Sequence, residues 1–333
     1  MLLPGSLALP GSLPLFGDST TSFTQLTPFS EWQHLLLEYA VAGAMFALLA
    51  GCVYSAMTAG ELSKRWRPAA VASTLVCLVA FLSYVVITAE VVLGYREQGG
   101  AWVPRPGTVV TELRYIDWTV TVPLLVVEFL AVCSVSASRV VWLRFSAVAA
   151  AFLMILTGFF GVVDVGAGTP GPVELLVWGA VSTVFFLYLY AVLLGAVRRT
   201  RPTVGTATST SLRNAAVLLL SVFGVYPLVY LVPLWAGPGD GGWALTVQVL
   251  FSAADVAAKV GFGVLVHKVA KLRTAEDART VAGSTPDVYP GEVYVSGHLV
   301  AFPTAAPIAP AAPGSASGAP VAPATLAFDR PAG

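Results

Sequence analysis

Charge is scarce in this sequence. Only 11% of its 333 residues are Asp, Glu, Lys or Arg, against roughly 25% in a soluble globular domain, which excludes an ordinary water-facing surface. The charges that exist cancel, 18 basic against 18 acidic, so there is no net field for holding nucleic acid and no such partner is expected. Cysteine is also sparse. Cys52, Cys77 and Cys133 show no CxxC or Cys/His spacing, so neither a metal centre nor a disulfide framework is expected, and all three read as small buried hydrophobes. An internal repeat of useful period is missing, which weakens the case for a transporter built from inverted repeats. The first 30 residues lack the positive n-region of a signal peptide and read as an exterior extension.

What is present is apolar. The chain is 56% hydrophobic with a mean hydropathy of +0.79, a composition suited to lipid as the solvent. Crossing a hydrocarbon core of about 30 Å takes about 20 mainly apolar helical residues. The sequence supplies seven such runs, near 31–60, 67–95, 107–136, 140–163, 172–198, 211–235 and 244–272. The expected fold is therefore all-α, a seven-transmembrane-helix bundle over 31–273. Lys64, Arg65, Arg67, Arg139, Arg144, Arg198, Arg199, Arg201, Lys268, Lys271 and Arg273 collect in alternate loops and after the last run, which makes that side cytoplasmic. The opposite loops carry Asp164, Glu174 and Asp240 with few cations. The N-terminus then lies outside and the C-terminus inside. The tail, 274–333, is largely an Ala/Pro/Gly/Ser run that cannot bury enough apolar surface to offset its ordering entropy, and is expected to be disordered.

An ionisable residue inside a span costs several kcal/mol unless paired or hydrated, so each is a functional candidate. Arg114, Asp117 and Thr121 are spaced i, i+3, i+7 and share one helix face. Asp255 and Lys259 are spaced i, i+4. If the third and seventh helices adjoin, two cations meet two carboxylates in a formally neutral cluster, the condition for tolerating such charges in low dielectric. Glu128 lies eleven residues beyond Asp117, close to three turns, and therefore points the same way about 16 Å nearer the cytoplasm. Its neighbours Val126, Val127, Phe129 and Leu130 disfavour the charged form, leaving a neutral acid able to donate a proton. One helix thus carries an acceptor on the exterior side and a donor on the interior side. A packing-only salt-bridge network would not explain the isolated Glu128. Glu38 and Glu90 lie toward exterior ends, where a solvated vestibule is the plainer reading and proton release the weaker one.

The segments "RYIDWTVTVPLLVVE" (114–128) and "DVAAKVGFG" (255–263) resemble the third and seventh helices of microbial rhodopsins, and the likeness extends over 31–273. Within that family the pattern is most similar to proteorhodopsins and xanthorhodopsins. The resemblance implies that Lys259 carries all-trans retinal as a protonated Schiff base, that Asp117 is the primary proton acceptor and Asp255 a second counterion, and that Glu128 reprotonates the Schiff base. It implies a light-driven outward proton pump, not an enzyme, in the plasma membrane of a prokaryote, with lipid and protons as partners and a homo-oligomer as the expected assembly. By the same matching the retinal walls include Trp118, Leu125, Met154, Gly158, Ser182, Phe186, Phe223, Tyr226, Pro227 and Tyr230, with Tyr84 near the counterions. Leu125, at the position associated with colour tuning, points to green absorption. Two positions depart from or specialise the pattern. Ser83 stands where a histidine usually partners the acceptor, and Gly179 stands where archaeal pumps carry a tryptophan. As in xanthorhodopsin-like proteins, Gly179 would admit the ring of a carotenoid antenna; the competing reading is a small residue for close helix packing. The alternatives are a sensory rhodopsin acting through a partner and a non-photoactive transporter or receptor with a buried salt bridge.

Overall fold

The computed structural model describes residues 27–134, 137–163, 171–236, 240–284, 293–295 and 298–300. Among them, seven helices are long and apolar enough to cross a membrane. They are α1 (Glu31–Thr58), α2 (Arg67–Leu93), α3 (Thr111–Val132), α4 (Ala137–Phe160), α5 (Pro172–Thr200), α6 (Thr206–Tyr230) and a seventh rod made of α7 (Gly241–Val256), a π-helical turn at Ala257–Gly261 and α8 (Phe262–Ser284). Neighbours in sequence pack side by side, and the last rod returns to lie against α1, α2 and α6, closing the ring. The protein is a seven-helix membrane bundle. Asp164 and residues 1–26, on which expectations also fell, lie outside the described residues.

Helix starts follow local chemistry. Free N–H groups at the head of α7 are taken by the Asp240 side chain, which accepts from Gly242 N and Trp243 N at 3.0 and 3.1 Å, and Glu174 accepts from Gly171 N at the head of α5. Pro123 inside α3 and Pro227 inside α6 each remove a backbone donor, which membrane helices tolerate when neighbours re-satisfy the freed carbonyl. Along α1 the bare Gly51 faces Val260, whose methyl would lie 2.9 Å from any added Cβ. Glycine therefore sets how closely the first helix approaches the lysine-bearing rod.

Three boundaries differ from expectation. The third span begins at Thr111, because 95–104 forms a hairpin, β1 (Tyr95–Gln98) with β2 (Ala101–Pro104). Its two-residue turn is Gly99-Gly100, both at positive φ, the conformation a twisted hairpin asks of its tip. Phe29, just before α1, exchanges two backbone hydrogen bonds with Trp102, and His34 stacks on the Trp102 ring with centroids 4.2 Å apart, so the head of α1 is fastened to the hairpin. The sixth helix begins at Thr206, five residues earlier than expected. The seventh rod runs to Ser284, well past 273. This extension is anchored: Asp277 accepts from Trp66 Nε1 at 2.8 Å, Glu276 accepts from Thr208 Oγ1 and Gly205 N, and Arg273 donates to Ser134 Oγ at 2.9 Å. Within the expected disordered tail, Val293–Val295 also pairs antiparallel with His298–Val300.

Candidate functional site

Lys259 sits in the π turn, where one surplus residue per turn widens the helix and re-aims the side chains on it. Its Nζ, 1% exposed, lies 2.6 Å from Asp117 Oδ2 and 2.8 Å from Asp255 Oδ1. The cluster expected from spacing alone therefore assembles between α3 and the seventh rod. The cation beside Asp117 is Lys259, while Arg114, on the same helix as Asp117, reaches across the bundle to within 3.6 Å of Asp255 Oδ2. The reason lies on the seventh rod. Gln248 Oε1 accepts from Arg114 Nε at 2.8 Å and Ser252 Oγ from Nη2 at 3.1 Å, so the guanidinium is held there. Gln248 and Ser252 were missed from sequence, although with Asp255 and Lys259 they form one polar stripe at i, i+4, i+7, i+11.

The two carboxylates are not equivalent. Asp255 accepts from Trp118 Nε1 (3.0 Å), Tyr226 OH (2.9 Å), Tyr84 OH (2.8 Å) and Lys259, and Tyr84 OH in turn accepts from Arg114 Nη1 at 2.7 Å. Asp117 has Lys259 alone, and its Oδ1 is buried with no hydrogen-bond partner. Ser83, half-buried on α2, does not reach that oxygen. Thr121 donates to the Asp117 backbone carbonyl at 2.9 Å, not to its carboxylate.

Beside the cluster lies a cavity of about 310 Å³. Trp118, Met154, Gly158, Gly179, Ser182, Phe186, Phe223, Tyr226, Pro227 and Tyr230 all line it, so side chains from α3, α4, α5 and α6 named from motif matching converge on one slot. Trp118 and Tyr226 belong to both features, lining the cavity and donating to Asp255. Leu125 is 1% exposed, in the packed core, and does not line this cavity. Tyr84 lies at the counterions, as expected, and is likewise not on the wall. Tyr115, Val122 and Phe251 line the slot and were missed; Phe251 is one turn before Asp255 on the same rod. The slot is mainly apolar with few polar groups, the character of a site for a hydrophobic ligand.

Glu128 is 0% exposed, and both carboxyl oxygens lack a hydrogen-bond partner. Its polar neighbour is Ser73 on α2, whose hydroxyl lies 3.2 Å from Ser55 Oγ on α1. Among the described residues no cation lies beside this carboxyl to offset the cost of carrying a charge.

The site is thus a buried amine between two carboxylates, at the side of an apolar slot inside a seven-helix membrane bundle. Residues 36–272 match the model of the bacteriorhodopsin-like protein family. The chain is 32% identical over 254 residues to bacteriorhodopsin of Halobacterium salinarum, covering 74% of this chain and 86% of that protein. It is 26% identical to a green-light absorbing proteorhodopsin of a gamma-proteobacterium over 225 residues, 67% of this chain and 82% of the relative. Among solved structures it is similar to xanthorhodopsin, described as a light-driven ion pump with dual chromophore, at 30% identity and a TM-score of 0.68 over 76% of this chain and 99% of that one. The chain belongs to the bacteriorhodopsin-like family, the microbial rhodopsins.

Proposed function

We propose that the protein is a light-driven outward proton pump whose chromophore, all-trans retinal, is joined covalently to Lys259 Nζ. The observation that carries this reading is the inequality of the two carboxylates facing that nitrogen. When bound, retinal supplies visible absorption and a light-driven change of shape that redirects the proton on the lysine nitrogen. Asp255, with four donors and Arg114 near it, is held in its charged form, because taking a proton would forfeit charge-assisted hydrogen bonds. Asp117 has no such shell, and a proton passing along the 2.6 Å Nζ–Oδ2 hydrogen bond cancels both charges in a low-dielectric site. Asp117 is therefore the acceptor and Asp255 the standing counterion. Arg114 and Tyr84 fix Asp255, and Thr121 braces the backbone that carries Asp117.

The return proton comes from Glu128, on the other side of the lysine along α3. Lys64, Arg65, Arg67, Arg198, Arg199 and Arg201 lie in the loops and helix ends at that end of the bundle, which favours a cytoplasmic face there, with the N-terminus outside in a prokaryotic plasma membrane. Together these features give transport its direction. A signalling photoreceptor is disfavoured by Glu128, since a sensor needs no fast refilling. The test is light-induced pH change in cells given retinal: external acidification that a protonophore abolishes supports the pump, and its absence ends the reading. In the same assay Glu128→Gln leaves the first transfer intact and slows recovery of the dark state by about a hundredfold, the low end of what a positioned proton donor contributes.

Gly179 is assigned to a carotenoid antenna. Ala180 and Thr183 line the cavity and are exposed, so the slot reaches the lipid-facing side of α5 beside Gly179. The competing role is visible as well, since a Cβ at 179 would fall 2.7 Å from the Tyr230 ring. Adding a hydroxylated carotenoid is expected to give excitation energy transfer to retinal that Gly179→Trp removes. No transfer, or transfer unchanged in the variant, would leave Gly179 as a seat for Tyr230.

A further inference from the structure

One cluster of buried titratable groups takes no part in the scheme above. On α8, His267 is 3% exposed, and neither ring nitrogen has a hydrogen-bond partner. An imidazole enclosed in this way, without a donor or acceptor, is uncommon enough to need a reason. The groups facing it are Glu61, at the end of the first span with Oε2 3.8 Å from His267 Nε2; Lys271, one turn further along α8; and the Tyr54 ring on α1, edge-on with centroids 5.6 Å apart. Glu61 and Lys271 form an ion pair and are 21% and 36% exposed. The cluster thus runs from wetted charges to a dry ring within one helical turn.

Inward of His267 lies Gly263, one turn earlier on the same face, about 6 Å along the axis. A Cβ at Gly263 would fall 3.6 Å from Glu128 Oε1 and would collide with the Ser73 hydroxyl. The bare backbone at 263 therefore lets the Glu128 carboxyl and the Ser73 hydroxyl abut α8 one turn inward of His267, with Ser55 behind Ser73. From the surface inward the order is Glu61 and Lys271, His267, then Ser73 and Glu128.

Resting on the pump reading above, we infer that His267 is the proton carrier that refills Glu128 from the cytoplasm, with the Glu61–Lys271 pair guarding its inlet. After Glu128 has given up its proton, the neutral His267 ring takes a proton from cytoplasmic water past Glu61, forming an N–H bond. An N–H bond of that transient imidazolium then breaks as an O–H bond forms on the Glu128 carboxylate, which returns the ring to its neutral starting state. No oxidant, reductant or further reactant enters. A histidine suits the position because its charge changes within the physiological range.

The experiment uses the full-length, retinal-loaded protein in vesicles, with a pH dye following proton uptake and visible absorption following the pigment after a flash. His267→Gln and His267→Phe are expected to keep the pigment and the first proton release while slowing uptake by about a hundredfold. Glu61→Gln slows uptake by a smaller factor. Azide, whose neutral acid form crosses apolar barriers, restores uptake in His267→Gln, which a merely structural role would not permit. Wild-type uptake rates in both histidine variants, or slow uptake that azide leaves unchanged, overturn the assignment. An unmodified protein that releases no proton after the flash fails the pump reading instead, so the two failures are distinguishable.

Discussion

Lys259→Ala yields a protein that stays colourless when retinal is added and moves no protons in light. Nζ is the amine buried against two carboxylates beside the slot, so removing it deletes both the attachment point and the proton's first resting place. Visible absorption after reconstitution is the readout, with light-induced pH change as the functional counterpart. The variant also leaves Asp117 and Asp255 facing each other with one fewer cation. Breaking a buried ion pair by removing one partner costs about 3–5 kcal/mol, so a lower thermal midpoint is expected alongside the lost colour. Lys259→Arg separates the two effects: the positive charge remains while the nucleophilic amine is gone, and colour is still lost although the fold is spared. Pigment in either variant would show that the chromophore is attached elsewhere.

The second large effect is expected from Asp117→Asn. The amide oxygen still accepts from Nζ, so the pigment forms and the slot is undisturbed, with absorption shifted because a counter-charge beside the nitrogen is gone. Transfer from the nitrogen has no destination, and light-driven acidification falls by at least about a hundredfold. Asp255 cannot stand in, since Tyr84, Trp118 and Tyr226 all donate to it and those bonds favour its charged form. Flash absorption detects the block as failure of the nitrogen to deprotonate. Normal deprotonation in Asp117→Asn would move the acceptor role to another group.

What was legible in the sequence is what lipid makes conspicuous. A charge in an apolar run is costly, so Asp117, Glu128, Asp255 and Lys259 stand out by position alone, and their spacing puts them on two helix faces that form a cluster if those helices adjoin. Partner choice was not legible. Arg114 lies beside Asp255, held there by Gln248 and Ser252, and helix spacing does not say which rods touch. Leu125 shares a helix with Trp118, yet only Trp118 lines the slot, a distinction set by packing. The hairpin was signalled by Gly99-Gly100 between two short polar-apolar runs, a cue that span counting overlooks. The extension of the last helix to Ser284 rests on Asp277, Glu276 and Arg273 bonding to loops far away in sequence, which local composition does not reveal. His267 falls in the same category: alone near a helix end it resembles any interfacial histidine, and only the fold sets it above Glu128.

The π turn at Ala257–Gly261 has a bearing on how absorbed light is put to use. A helix is stiff along its length, and a push applied to a regular one is shared among many residues. Here the register is loosened at the five residues that hold the amine, and firm α-helix resumes on either side. On the pump reading proposed above, a displacement begun at the nitrogen is expected to concentrate in those five residues and not to spread along the whole rod.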